Sequence, residues 1–568
     1  MSKSRSKVDI IFERIPPLVT WLIILCPIWG GLFFPDQTAY LILILNVYFL
    51  YKSISMAILL LIGIIRIRST EAIDWLIRLS ELDQIEKSIA LLIEKRDVLE
   101  KAIPVKEDPH FKNEYLNRLL RKRTPSFLQN WLNKYEKNKI LKFIDQEISR
   151  LYDIRKLGVR YDWKEIRHII IIPHWKEPYH ILKETIERVK GMNYPTKNIC
   201  VILGAEARDP DGYKISMQLK KEYEQYFNQI WVNNHELKDN EIIGKSSNMY
   251  SASKFGDEQI KKMGWDPKKV TVTSCDADSQ LPHDYFANIT YHFVTDPESE
   301  YKYYTGAVLL YANIWRLPFF ARVKNSTSTL YNITKLVRTD KLIPFSTYTL
   351  SYWMVEQINF WSPDITPEDF HTFFKGLFLF PDKVSTVPIY QRVLADSAEG
   401  DNVIDTARNN YMQERRWAWG ISDDGWVLRN IIKNIFSKKF SLRLIYIASH
   451  SLWDHLSVGI SILITFGSNI IVLINPRFGY TVLGANLPSI SSFLIQITLV
   501  FFIFTILLDR YVKPEVKGQR RVIKTILSLF EWFLQPIIGV IMVILPGIEA
   551  HTRLLFGRYL EYYLTKKK

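Results

Sequence analysis

The stretch VTVTSCDADSQLPHDYF, residues 270–286, opens on a β-branched run and closes on two carboxylates separated by one alanine. β-Branched residues suit a pleated, buried strand. A strand puts residues i and i+2 on one side, so Asp276 and Asp278 are expected together at its C-terminal end, where open α/β sheets hold their ligands. Two carboxylates that close repel each other. A hard divalent cation with oxygen ligands would relieve the repulsion and bring a phosphate-bearing substrate with it. A solvated turn accounts for the same residues, since Asp, Ser and Pro are common at strand ends, so the pair has to be weighed with the rest of the chain.

Around this stretch, strands alternate with helices. IRHIIIIP (166–173) precedes a helix at about 179–191, NICVILGA (198–205) a helix at about 212–227, and IWVNNH (230–235) a helix near 247–263. Such alternation predicts a mostly parallel sheet with site loops at the strand ends, an α/β, Rossmann-like domain.

The flanks are different. A hydrophobic fraction of 48% coexists with 23% charged residues, and the apolar residues gather in blocks at 18–34, 38–65, about 452–474, 490–508 and 525–548, each near the length that spans a bilayer. The basic MSKSRSK start is followed by no small-residue cleavage site, so the first block reads as a retained anchor. Pro536 and Pro546 bracket the last block, which is expected to be bent or re-entrant and to return the basic tail, 549–568, to the side of the soluble region.

The net charge of +15 suggests nucleic acid only until its distribution is considered. Arg66, Arg68, Arg510, Lys513, Lys517, Arg520, Arg521 and Lys524 all sit beside apolar blocks. That is the positive-inside pattern; it assigns the central region to the cytoplasm, and no nucleic-acid-binding motif accompanies it. The three cysteines have neither zinc nor disulfide spacing. Residues 66–164 read as a cytoplasmic helical hairpin, with helices over 70–102 and 126–157. Residues 428–446 read as a basic amphipathic helix on the membrane surface.

Three further segments carry chemistry. IIGKSSN (242–248) resembles the end of a phosphate-binding loop but lacks its first glycine, leaving Lys245 to meet a phosphate or a carboxylate. DITPEDFHTFFKG (364–376) puts Glu368 and Asp369 where a loop enters a helix, as caps or as a general base. QERRWAWG (413–420) places Gln413, Arg416 and Trp417 one helical turn apart. These residues suit a sugar ring on the indole and a diphosphate on the guanidinium, or else packing against membrane-proximal helices.

The order of these elements is more specific than any one of them: P-x-x-x-E (Pro173 to Glu177), G-K-x-x-N (Gly244 to Asn248), D-x-D, E-D, then Q-x-x-R-W, flanked by apolar spans. It resembles the membrane-embedded family 2 glycosyltransferases, the group of cellulose and hyaluronan synthases, across about 165–430. The resemblance implies a GT-A catalytic domain at 165–427 between two N-terminal spans (18–65) and a C-terminal membrane region (447–548), in the plasma membrane. It implies inverting, processive transfer from a nucleotide-diphosphate sugar, a UDP-sugar ahead of others, to a glycan or lipid acceptor, with Mg²⁺ or Mn²⁺. An accessory subunit is compatible with it. Asp278 would bind the metal, Asp276 the donor and the metal, and Asp369 would be the base. Gln413, Arg416 and Trp417 would hold the acceptor and diphosphate, and Glu177 would lie in the nucleotide pocket with Lys245 near the donor. Where many members carry Asp-Asp-Gly-Ser after the second strand, this chain has GAEARDPDG (204–212), with Glu206 as the acidic substitute.

Overall fold

A computed structural model describes residues 6–101, 129–437, 440–516 and 521–560. The centre is one seven-stranded sheet made of β1 (Arg167–Pro173), β2 (Ile199–Glu206), β3 (Gln229–His235), β4 (Val270–Ser274), β5 (Lys302–Leu309), β6 (Tyr348–Ser351) and β7 (Ser385–Leu394). The strands lie in the order β3-β2-β1-β4-β6-β5-β7. β6 runs antiparallel to both neighbours, and every other pair is parallel. With helices packed on both faces, this is the α/β, Rossmann-like fold expected from the sequence. β1 shows why the strands read as unbroken apolar runs. Ile170 and Ile172 pack into the core on one face and Ile169 and Ile171 into the core on the other, as a two-sided parallel sheet requires.

The helical arm before the sheet consists of Trp75–Leu82, Ile85–Lys101 and Gln129–Leu157; the proline-bearing segment between the last two lies outside the described residues. The arm is pinned by buried charge. Arg150 pairs with Glu81 at 2.5 Å and Glu147 at 2.8 Å, Arg78 pairs with Glu147, and Arg150 Nη1 donates to the Tyr291 hydroxyl at 2.6 Å. Both of these arginines therefore have charged partners, as burial demands.

Among the described residues, four helices are long and apolar enough to cross a membrane: Pro35–Glu71, Leu442–Ile474, Val482–Val512 and Val522–Leu555. A fifth arises if the bent pair Lys7–Ile24 and Cys26–Phe33, angled by 59°, counts as one span. The expected break in the last apolar block therefore falls in the first. Pro27, at the start of the second helix of the pair, has no N–H for the preceding turn, and its ring excludes the carbonyl behind it. In Val522–Leu555, Pro536 and Pro546 likewise sit at the starts of the segments Gln535–Gly539 and Leu545–Leu555, and the helix axis carries on through them as one span.

The single helix expected over 428–446 is two: Ile421–Asn434 ends before Leu442–Ile474 begins. The first of these packs on the N-terminal helix Lys7–Ile24 so closely that a Cβ on Gly425 would lie 2.5 Å from the Glu13 Cα. The long helix Pro35–Glu71 reaches the sheet domain: Leu60, Ile64 and Ile67 share a core with Ala307 and Leu309 of β5 and with Ile333.

Candidate functional site

β4 ends at Ser274, and the chain turns at once, with the Ser279 N–H donating to the Asp276 carbonyl at 2.9 Å. The two aspartates thus lie in a turn after the strand. The alternation that was to put them side by side does not apply, and they meet different surroundings. Asp276 keeps 29% of its side chain exposed and accepts from the Ser346 hydroxyl at 2.6 Å. Asp278 is buried, and its Oδ2 accepts from the Asp396 N–H at 3.0 Å.

Lys245 opens the helix Lys245–Met263 directly after Gly244, whose φ of 153° few other residues adopt. The segment forms no phosphate loop. Lys245 Nζ meets carboxylates, 2.7 Å from Asp276 Oδ1 and 2.8 Å from Glu368 Oε1, and donates to the Ser346 carbonyl at 2.9 Å. Burial pushes this ammonium down, but the Asp276 and Glu368 charges outweigh burial and hold it above its ordinary value.

Glu368 and Asp369 begin the helix Glu368–Leu379, where the N-terminal dipole favours negative charge. They are not equivalent. Glu368 is buried and accepts from Tyr348 Oη at 2.8 Å and Trp361 Nε1 at 3.1 Å. Burial, with the Asp369 charge beside it, pushes its carboxyl up to about 7 against the pull of Lys245. Asp369 is half-buried, and its two oxygens accept from the backbone N–H groups of Ser346 (2.9 Å) and Phe370 (2.8 Å).

The Q-x-x-R-W element reaches this region by relay. It lies on the helix Val403–Ala418, whose Asn410 and Asn409 side chains donate to the Ala398 and Glu399 carbonyls at 2.9 and 3.1 Å. They fix the loop that supplies the Asp396 N–H to Asp278. Gln413 is buried and accepts from Lys324 at 3.5 Å, and Lys324 also pairs with Glu414 at 3.0 Å and lies 4.2 Å from the centre of the Trp417 ring. Arg415 is held by Glu549 at 2.5 Å. Arg415 and Arg416 alike have a buried Nε with no hydrogen-bond partner among the described residues.

The nucleotide-side candidates sit at the ends of β1 and β2. Glu177 accepts from the Trp175 N–H within a turn in which Lys176 takes a φ of 64°. Glu206 is buried, with Asn248 Nδ2 at 3.1 Å, His235 Nδ1 at 3.3 Å and Arg208 at 2.9 Å. Burial raises its carboxyl, but these donors outweigh burial and hold it low. It therefore fastens the ends of β2 and β3 to the helix Lys245–Met263. Beside it the Trp175 ring carries two cations, with Lys176 Nζ 4.8 Å and the Arg208 guanidinium 5.3 Å from its centre.

Sequence reasoning missed Ser346, Tyr348, Trp361, Asp396 and Lys324. None belongs to a recognisable pattern. Lys324 could have been suspected as one of two cations, with Arg322, in the otherwise largely apolar stretch LPFFARVKN.

Among the described residues no group of three or more His, Cys, Asp or Glu side chains is placed to hold a metal ion. Two carboxylates in one turn suit a hard cation of the Mg²⁺ type, which commonly takes one or two carboxylates and completes its shell with water and substrate phosphates.

No family model matches the chain, and no curated protein does. Among solved structures it is similar to a mannosyltransferase from Pyrobaculum calidifontis in complex with GDP-Man and Mn²⁺, at 13% identity over 59% of this chain and 87% of that one, TM-score 0.36. It is also similar to S. aureus TarS in complex with UDP-GlcNAc, at 11% identity over 69% of this chain and 93% of that one, TM-score 0.29. At these values the likeness carries no argument about chemistry, which rests on the residues themselves.

Proposed function

We propose that this chain is a membrane-embedded glycosyltransferase of the inverting, processive kind, moving sugar from a nucleotide-diphosphate donor to a growing glycan and passing the product between its spans. One observation carries the reading. Asp276 and Asp369, far apart in sequence and given by the resemblance the roles of donor-side carboxylate and base, both bond to Ser346 at 2.6 and 2.9 Å, beside Lys245.

In this reading Asp369 takes the proton from the attacking hydroxyl. Its half-buried position and its backbone donors keep it accessible and aimed, whereas Glu368, enclosed by Tyr348, Trp361 and Lys245, is a structural acid. Arg416, with its unpartnered Nε, neutralises charge on the departing diphosphate, and Trp417 with Gln413 receives the acceptor. Asp278 and Asp276 would hold Mg²⁺ or Mn²⁺, which supplies electrostatic stabilisation of the leaving group. Because Asp276 Oδ1 is engaged by Lys245, cation binding there requires that contact to be exchanged.

The test is nucleoside-diphosphate release by the detergent-purified protein across UDP- and GDP-sugars with Mg²⁺ or Mn²⁺. Donor-specific, metal-dependent release that is lost in Asp369→Asn supports the reading; release unaffected by that substitution removes Asp369 as base. A polymer product supports processive transfer, and a single glycolipid replaces it with one-step transfer to a lipid.

A further inference from the structure

Ser346 lies in the connection between the helix Phe319–Val337 and β6, and its backbone adopts a φ of 60°. For a residue with a Cβ this left-handed conformation is strained, and strain of this kind persists only where the surroundings enforce it. Here all three polar groups of the residue are committed, each to a different charged side chain. The N–H donates to Asp369 Oδ2 at 2.9 Å, the hydroxyl to Asp276 Oδ2 at 2.6 Å, and the carbonyl accepts from Lys245 Nζ at 2.9 Å.

Glycine would adopt this φ without strain and would keep the backbone contacts to Asp369 and Lys245. The hydroxyl on Asp276 is the one contact that requires a side chain. The neighbouring Thr347 hydroxyl does not replace it, because it lies 2.7 Å from Ser279 Oγ and receives only the Asp276 N–H, at 3.4 Å.

We propose that Ser346 is a positioning residue that sets the donor-side carboxylate Asp276 in register with the base Asp369, so that departure of the diphosphate and removal of the acceptor proton occur in one geometry. The proposal rests on the transferase reading above. The backbone half of the device orients the base; the hydroxyl half orients the donor side. Breaking the hydroxyl half leaves the fold and the base intact but lets Asp276 turn, so a bound donor is placed less well against the acceptor. Water, which needs no such placement, gains relative to the acceptor.

The experiment compares wild type with Ser346→Gly and Ser346→Ala in the full-length, detergent-purified protein, using the donor sugar found active in the panel. Transfer, donor hydrolysis, calorimetric binding of the matching nucleoside diphosphate with Mn²⁺, and thermal midpoint are all measured. Ser346→Gly is expected to lower kcat for transfer about tenfold and to raise the ratio of hydrolysis to transfer severalfold. Nucleoside-diphosphate affinity should stay within threefold and the thermal midpoint should not fall. Ser346→Ala should show the same kinetic change with a lower midpoint, because it retains the strain and lacks the hydroxyl. An active wild type with an unchanged hydrolysis ratio and kcat in both variants overturns the role of Ser346 and leaves the transferase reading standing. A folded wild type that releases nothing from any donor overturns both.

Discussion

Replacing Lys245 by methionine should give a stability loss that grows with pH. The lysine bridges Asp276 at 2.7 Å and Glu368 at 2.8 Å, and removing one partner of a buried ion pair commonly costs about 3–5 kcal/mol. At neutral pH a smaller loss is expected here, because Glu368 has a means of escape. Its carboxyl is already raised from 4.5 to about 7. A raised acid gives its full contribution to the folded state below the unfolded value, and that contribution is lost as pH climbs through the folded one. With the ammonium gone, the carboxyl stays protonated across this range.

The two curves can be worked out. At about pH 7 the wild-type carboxyl, half ionised, costs the fold about 3 kcal/mol and the protonated variant only slightly more, a difference of less than about 1 kcal/mol. By about pH 8.5 the wild-type cost has levelled at about 3 kcal/mol while the variant's has reached about 5, a difference of about 2. Asp276, 29% exposed, adds about 1 kcal/mol at either pH because water screens it. Lys245→Met should therefore lose about 1–2 kcal/mol near pH 7 and about 3 near pH 8.5, read by urea pulse proteolysis of the protein in detergent. A loss that does not depend on pH, or one that shrinks as pH rises, refutes the coupling of Lys245 to Glu368.

The same acid should appear as a protonated-carboxyl infrared band that titrates near pH 7 and is absent from Glu368→Gln; its survival in that variant would assign the band elsewhere. Arg416→Ala should lower kcat/KM for the donor by about 30- to 1000-fold, the range expected for a charge-assisted contact to a diphosphate, with Arg416→Lys recovering part of it. Equal turnover in all three proteins would remove Arg416 from the site. Gly425→Ala would drive a Cβ to 2.5 Å from the Glu13 Cα and 2.6 Å from the Phe12 carbonyl oxygen, backbone atoms that no rotamer change can clear. A loss of about 1–3 kcal/mol should lower the thermal midpoint, and an unchanged midpoint would mean that the N-terminal helix does not hold this contact.

How far the sequence reached depends on the range of the forces involved. The runs that became β1, β2 and β4 were legible because burial on both faces of a parallel sheet demands unbroken apolar sequence, as in Ile169 to Ile172. The apolar helices were legible because a bilayer sets their length. β6 and its antiparallel insertion between β4 and β5 were not read, since four residues of strand carry no period of their own. The D-x-D pair was found, but its geometry was misjudged, because the strand period ended at Ser274, before either aspartate.

The sequence by itself determined the residue types that can do this chemistry and their order along the chain: Lys245, Asp276, Asp278, Asp369 and Arg416. Local patterns suffice for that, because strand runs, helix starts and apolar blocks are written within a few turns of the residues that obey them. Only the tertiary structure decided which of these groups meet. It set Lys245 between Asp276 and Glu368, enclosed Glu368 while leaving Asp369 accessible, and put the strained Ser346 between two carboxylates. Those contacts join residues on different elements of the chain, beyond the reach of any local pattern, and a carboxylate's burial and charged neighbours, which set its protonation, exist only once the chain has closed around it.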